Sequence, residues 1–177
     1  MFGRRRRAPL APAVLAAIAK ANQLIASGHA NQAAPMLAQL AQDLEGRGRV
    51  RPAANLHAQA AHAYAASKNE SAALAQARAA LNQFIQLQMA RRVPTFYGNI
   101  TRKLRANGMA SAADTLQKEF GDKVKPFEKF KSASPAQGRR LPANCPHCGA
   151  AARSDEVDWI DGQSAECAYC GGVIQTE

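Results

Sequence analysis

All four cysteines of this 177-residue chain lie near its carboxyl end, in two C-x2-C pairs. Cys145 and Cys148 form the first pair, eighteen residues follow, and Cys167 and Cys170 form the second. Two such pairs can present four thiolates at the corners of a tetrahedron, which is the ligand set of a closed structural zinc site. The spacing therefore predicts one structural Zn²⁺ bound by Cys145, Cys148, Cys167 and Cys170.

The residues around the cysteines predict how the chain positions them. Gly149 and Gly171 directly follow the pairs, and glycine lets the backbone fold over the metal so that amide N–H groups face the sulfurs. Val157 and Trp159 alternate as on one face of a strand, and Asp161–Gly162 is a turn dipeptide. The final "GVIQTE" can add a third short strand. A small β structure behind the two cysteine turns is therefore expected.

This region resembles a zinc ribbon over about residues 143–177, and the resemblance is carried by the two cysteine turns. Rubredoxin-type iron sites have similar turns, so iron is the alternative metal. Disulfides are disfavoured because paired C-x2-C turns are a metal geometry. His147 lies inside the first pair and is expected to be exposed rather than a ligand, since four thiolates already complete the shell.

Charge is divided unevenly along the chain. Residues 1–143 carry 22 Lys and Arg against 7 Asp and Glu, while residues 144–177 carry one Arg against six acidic residues. The ribbon segment is therefore expected to repel phosphate and to contact protein. The candidate contacts for phosphate or for an acidic partner all lie in the basic part: Arg91, Arg92, Arg102, Lys103, Arg105, Lys123, Lys125, Lys129 and Lys131.

An alanine-rich pattern repeats at intervals of 40 residues before the cysteine region. "ASGHANQAAPMLAQL" from Ala26, "ASKNESAALAQARAAL" from Ala66 and "ANGMASAADTLQKEF" from Ala106 align without a gap. Gly28 and Gly108 fall at the same place and suit a positive φ that ends a helix. The pattern predicts three tight helix–turn–helix units in which Asn31, Ser71 and Ser111 are the N-caps. The helices are expected near residues 11–27, 31–46, 52–67, 71–89, 95–107 and 111–121.

The repeats are similar to tetratricopeptide-type helical hairpins over roughly residues 14–121. They depart from that family in their longer period, in the missing closing proline and in their few aromatics. The resemblance implies a partner-binding face made by the first helix of each hairpin. A plain helical bundle whose alanines imitate a repeat is the alternative.

The predicted organisation has four parts, and the fold class is mainly α with a small C-terminal β zinc ribbon. Residues 1–10 form a basic tail, 11–121 a helical-hairpin domain, 122–142 a basic linker and 143–177 the ribbon. In the linker, a helix is not expected past Pro126, and Phe127 and Phe130 are expected to pack against the last hairpin. Basic residues interleaved with these aromatics also suit single-stranded nucleic acid.

No motif for catalysis is present. The sequence contains no nucleotide-binding glycine loop and no nucleophile elbow, and His57 and His62 are five residues apart, on different faces of a helix. A closed four-thiolate site also leaves no position for a reactive water. No small-molecule substrate is indicated, and a non-enzymatic protein is predicted.

The leading functional prediction is a cytoplasmic adaptor that binds a protein or peptide partner through its helical repeats. Nucleic-acid binding through the basic residues is the second candidate, and association with an anionic membrane surface through Arg4 to Arg7 is the third. No apolar run is long enough to span a bilayer. Arg4 to Arg7 followed by an apolar stretch resembles a secretory signal, but Lys20, Asn22 and Gln23 interrupt that stretch.

Overall fold

The computed structural model describes residues 10–130, 140–152, 154, 157–159, 162–167 and 169–177. Six α-helices come first: α1 (Pro12–Ala26), α2 (Ala30–Gly46), α3 (Val50–Ala66), α4 (Glu70–Gln86), α5 (Arg92–Ala106) and α6 (Ala110–Val124). A 3₁₀ helix follows at Lys125–Phe130. A three-stranded antiparallel sheet then forms from β1 (Asp158–Trp159), β2 (Ser164–Glu166) and β3 (Val173–Gln175). The predicted class, helical hairpins followed by a small β structure with the cysteines, is confirmed.

The helices pack as three consecutive hairpins, α1/α2, α3/α4 and α5/α6. Contacts between α3 and α5, and between α4 and α6, stack the third hairpin on the second, while α2 packs along α3. Alanine makes these close approaches feasible because it adds little bulk at the seams. Leu37, Leu56, Leu81 and Leu116 are fully buried between the helices. None of the described helices has the length and apolarity needed to cross a membrane.

All five turns between helices have one geometry. A residue with positive φ follows each helix, and the next N–H donates to a carbonyl five residues back over 2.8–2.9 Å, as in a Schellman motif. The positive-φ residues are Gly28, Gly48, Lys68, Gln88 and Gly108. The structural repeat is therefore one helix with one turn every 20 residues, and the predicted 40-residue repeat is this unit taken twice.

The predicted N-caps were wrong by two residues. The helices begin at Ala30, Glu70 and Ala110, so Asn31, Ser71 and Ser111 lie inside the first turns. The physical reason is that the last residue of each of these Schellman turns also serves as the N-cap of the next helix, which shortens the connection. A side-chain cap is provided by Asn69, whose Oδ1 accepts from Ala72 N–H over 3.2 Å.

Two other predicted boundaries also moved. The third and fifth helices begin at Val50 and Arg92, so Pro52 and Pro94 are third helical positions rather than the start of a helix or a break between helices. Beyond residue 121 the chain stays α-helical to Val124 and continues as a 3₁₀ helix over Lys125–Phe130. The prediction of no helix past Pro126 was therefore wrong, because Pro126 is the second residue of the 3₁₀ helix, where a missing N–H is tolerated. Phe127 packs against the core formed by α3–α6, as predicted, whereas Phe130 is exposed.

Polar contacts tie the third hairpin to the second. The Glu70 carboxylate at the start of α4 accepts a hydrogen bond from Ala112 N–H over 2.9 Å and one from the Ser111 hydroxyl, and it therefore caps α6. Arg78 of α4 and Glu119 of α6 form a two-pronged ion pair, with Arg78 Nε donating to Oε2 over 2.7 Å. These contacts fix the register between α4 and α6.

Replacing Lys68 by glycine is expected to stabilise the protein. Lys68 has φ +58°, a conformation that costs an L side chain energy, whereas Gly28 and Gly108 occupy the same turn position at φ +84° and +82°. Urea unfolding should show Lys68→Gly gaining about 0.5–1 kcal/mol. The reciprocal Gly108→Lys should lose stability, since nothing crowds its Cβ position and backbone strain alone acts. A loss from Lys68→Gly would contradict the shared turn geometry.

The Arg78–Glu119 pair is expected to make stability depend on acid pH. The hydrogen bond from Arg78 lowers the pKa of Glu119 below its ordinary value of 4.5. Because the pKa of Glu119 is lower in the folded state than in the unfolded state, the pair contributes its full stability above the unfolded-state pKa. This contribution is lost as the pH falls through the folded-state pKa. In urea unfolding at pH 7, the free energy of unfolding should be larger for wild type than for Glu119→Gln. The difference between the two free energies should shrink below pH 4.5. A difference that is constant with pH would rule out this role.

Candidate metal centre

The two cysteine pairs lie in turns with the same hydrogen bonds. Cys145 N–H donates to the Ala150 carbonyl over 2.7 Å, and Cys167 N–H donates to the Gly172 carbonyl over 2.8 Å. Gly149 and Gly171 donate back to the carbonyls of Cys145 and Cys167 over 2.9 and 3.0 Å. Both glycines have positive φ, +70° and +73°, as their place after each pair predicted. The chain thus builds one cysteine turn twice and sets the two against each other.

The four sulfurs are gathered at one point. Cys145 Sγ lies 3.8 Å from Cys170 Sγ, Cys148 Sγ lies 3.8 Å from Cys167 Sγ, and all four sulfurs are within 4.8 Å of one another. A tetrahedron with metal–sulfur bonds of about 2.3 Å has edges of about 3.8 Å. None of the four cysteines, all of which are described, is in a disulfide. The geometry and the donor set therefore fit one tetrahedral metal ion.

Backbone N–H groups face the sulfurs, as the positions of the glycines predicted. His147 N–H donates to Cys145 Sγ, Tyr169 N–H to Cys167 Sγ and Gly172 N–H to Cys170 Sγ, each over 3.4 Å. Such bonds stabilise negative charge on sulfur. Cys145, Cys148 and Cys167 are buried and Cys170 is half-buried, so water has little access to the ligands.

The thiols compete for protons because they are packed together. Interactions with the neighbouring thiols of Cys148, Cys167 and Cys170 lower the pKa of Cys145 far below its ordinary value. The pKa of Cys148 and of Cys167 is raised, first by the interaction with the Cys145 thiol and further by burial. Without a cation, only some of the four thiols would therefore be deprotonated. A divalent cation at their centre would favour deprotonation of all four.

The sheet supports the cysteine turns as expected. Ala165 on β2 lies opposite Ile174 on β3, and both side chains are fully buried beneath the cysteines. Val157 is buried, and Trp159 packs partly buried against the same cluster, with its Nε1 donating to the Ser154 carbonyl over 3.1 Å. The third strand in "GVIQTE" is confirmed. Asp161 of the predicted turn lies outside the described residues.

His147 is exposed, as predicted, and its ring nitrogens lie outside the cluster of four sulfurs. Its Nε2 lies 3.2 Å from the Val173 carbonyl, and its ring lies over Gly172. A Cβ on Gly172 would come within 2.5 Å of the His147 ring and 3.3 Å of Cys170 Sγ. Glycine at position 172 therefore lets the two cysteine turns close on each other.

The four-cysteine module, defined as residues 140–177, packs on the helices. The face of α1, α3 and α5 that it covers is called the inner face below. Asn22 Nδ2 donates to the Cys148 carbonyl and Arg91 Nη1 to the Trp159 carbonyl, each over 3.3 Å. Arg51 Nε lies 3.7 Å from Glu166 Oε1. The basic helices and the acidic module thus meet with complementary charge, and their apolar residues form one core with α1–α3.

With the module in place, the middle of α3 is enclosed, and every residue from Ala53 to Ala61 is buried. Asn55, Gln59 and Arg92 are no more than 8% exposed beneath it, although their side chains are polar or charged. Arg92 Nη2 reaches Asn55 Oδ1 over 3.4 Å and its guanidinium lies over the Phe84 ring. The sequence reasoning missed Asn22, Asn55 and Gln59. Two amides four residues apart in an alanine-rich helix were the available signal, because they mark one polar face.

The nine predicted basic contacts do not form one patch. Arg92 is buried, and Arg91 faces the module. The remaining described residues either contact other side chains of the protein or line a cleft. Lys131 lies outside the described residues. Arg105 bonds Asp114 and Gln117, Lys125 bonds Asp122, Lys123 and Lys129 lie over phenylalanine rings, and Arg102 and Lys103 line a cleft beside the module.

Comparisons with known proteins identify no relative of this chain. No protein-family model matches the chain, and neither the curated proteins nor the solved structures contain a significant match.

Proposed function

We propose that the chain is a non-catalytic protein-interaction adaptor, in which a zinc-stabilised ribbon is docked on a tetratricopeptide-like helical array. The observation that carries the proposal is the closed four-sulfur site within a module that lies against the inner face. A closed site supports folding rather than catalysis because it has no open coordination position. The array and the module together offer a broad surface for a partner.

Zinc is the proposed metal, bound by Cys145, Cys148, Cys167 and Cys170. Four thiolates in a tetrahedron suit Zn²⁺ and also suit iron in rubredoxin-type sites. Zinc is favoured because it is redox-inert and no second redox group is suggested by the described residues. A site that needs free thiols also fits a reducing compartment, which supports the proposed cytoplasmic location.

The buried or paired state of several basic residues favours a protein partner over nucleic acid. Phosphate binding needs cations that can leave their present contacts, and Arg92 beneath the module and Arg105 beside Asp114 are engaged within the protein. An adaptor surface instead uses mixed polar and apolar side chains. The described part of the chain offers such a surface where the module meets α1, α3 and α5.

The proposal is tested by capture of partners on the purified full-length protein from a lysate of its host. We expect specific proteins to survive nuclease treatment and washing at high salt, and to be lost from a Cys145→Ser/Cys148→Ser variant. Recovery of nucleic acid that disappears at high salt would favour the nucleic-acid alternative. Retention of no protein, or the same proteins on an unrelated helical bundle, would reject the adaptor.

A further inference from the structure

A cleft of about 470 Å³ lies beside the docked module, between the later turns of α1, α3 and α5. This volume is in the range of ligand sites in proteins, about 300–1,000 Å³. Three helices and the module each form one wall. The residues most relevant to binding are Ile25, Gln59, Asn99, Arg102, Asn144 and Tyr169.

Gln59 is the most informative residue of this cleft. Its side chain is 4% exposed, and neither Nε2 nor Oε1 has a hydrogen-bond partner among the described residues. A buried amide without a partner destabilises a protein, so leucine would serve folding better at this position. The Gln59 amide therefore points to a bound group that the protein receives from outside.

The chemistry of the walls indicates what that group is. Gln59, Asn99 and Asn144 carry primary amides, which present a donor and an acceptor in one plane, as a peptide unit requires. Arg102 and Lys103 lie on one side, and none of the described lining residues is acidic. Ile25, which is 38% exposed, and several alanines add apolar surface. The cleft thus combines sites for peptide groups, an apolar contact and positive charge.

We infer that the cleft binds an extended peptide segment that carries a carboxylate. This inference depends on the proposed adaptor function and specifies its ligand. The amides bind the peptide backbone, and Arg102 binds the carboxylate, for which a guanidinium fork is well suited. Because Asn144 and Tyr169 belong to the four-cysteine module, the site is complete only when the module is folded and docked.

The test is selection of displayed random octapeptides on the zinc-loaded full-length protein. Selected peptides should contain Asp or Glu, or use a free C-terminal carboxylate. By fluorescence anisotropy, Arg102→Ala and Gln59→Leu should each bind a selected peptide at least about tenfold more weakly. Arg47→Ala is the matched control, since Arg47 is exposed and does not line the cleft, and it should bind like wild type.

A second measurement separates a ligand-binding role for Gln59 from a structural one. Without peptide, Gln59→Leu should melt about 3 °C higher than wild type, because it removes a buried unpaired amide. A lower melting temperature would show that Gln59 holds the fold, and would overturn its assignment to a ligand.

Other results would also overturn the inference. These are a selection that yields no peptide, peptides without carboxylates, or equal binding by the Arg102 and Gln59 variants. Displacement of the peptide by millimolar inorganic phosphate would mean that the cleft takes small anions. Stronger binding after chelation would mean that peptides compete with the module for the inner face. If lysate partners persist on Gln59→Leu, the adaptor function stands and this cleft is rejected.

Discussion

Replacing Cys145 and Cys148 by serine is expected to unfold the four-cysteine module while the helices persist. A module of about 35 residues buries too little apolar surface to fold alone, and metal binding contributes on the order of 10 kcal/mol to comparable small sites. The core shared by one face of α3 and by α4–α6 includes no residue of the module, so the second and third hairpins keep their packing with each other. The first hairpin and α3 should become less stable because they share a core with the cysteines.

Unfolding of the module and persistence of the helices can be measured on one sample, by tryptophan fluorescence and by circular dichroism. The single tryptophan of the chain, Trp159, lies in the module, so its fluorescence reports on the module alone. The variant, or chelated wild type, should show red-shifted emission with nearly unchanged circular dichroism at 222 nm. His147→Ala is the matched control, since it changes the same turn without removing a thiol. Unchanged emission after complete loss of metal would contradict the account.

Phe84→Ala is expected to cost about 3–5 kcal/mol, a large part of the stability of an ordinary domain. Phe84 is fully buried and its ring packs edge-on against Phe96 with centroids 5.7 Å apart. The same ring carries the Arg92 guanidinium at 5.4 Å, and Arg92 reaches Asn55 beneath the module. The substitution should therefore loosen both the α4–α5 junction and the support of the inner face.

Phe130→Ala provides the control for the same change of side chain. Phe130 is 43% exposed on the 3₁₀ helix, and its loss should cost about 0.5 kcal/mol or less. Urea unfolding followed at 222 nm gives both values. Similar costs for the two variants would show that burial at position 84 is not what stabilises the hairpin junction.

The cluster of four cysteines could be predicted residue by residue from the sequence because the turns that form it are specified locally. The two C-x2-C pairs, Gly149 and Gly171 each specify a turn within six residues, and no distant contact is needed to form it. The same holds for the α1/α2 turn at Gly28. Such turns can be predicted from a short stretch of sequence because they depend on the backbone conformation of a few neighbouring residues.

The 20-residue period was harder to find because two of the five turns lack the expected glycine. Lys68 and Gln88 adopt positive φ without it, so the turn after α4 had no visible signal. Large apolar residues four positions before each turn, such as Leu44, Phe84 and Leu104, were the remaining signal, since their carbonyls accept the closing hydrogen bonds. Alanine fits any face of a helix and hides such a register.

Docking of the module could not be predicted, since it joins residues far apart in the chain. Asn22 and Cys148 are 126 positions apart, and neither type of residue indicates the other. The opposite charges of the two regions are compatible with attraction, but they do not specify where on the helices the module lies. The polar side chains of α3 at Asn55 and Gln59 are the feature that, with the structure known, marks the covered face.

The most direct test of the account is the metal content of protein purified under reducing conditions without added metal. Mass spectrometry under native conditions, with elemental analysis, should find one zinc per chain. Replacement by Co²⁺ should give the visible absorption of a tetrahedral four-thiolate site. One iron per chain, a chain with two disulfides, or a metal-free chain with its module still docked would each contradict the proposed zinc centre.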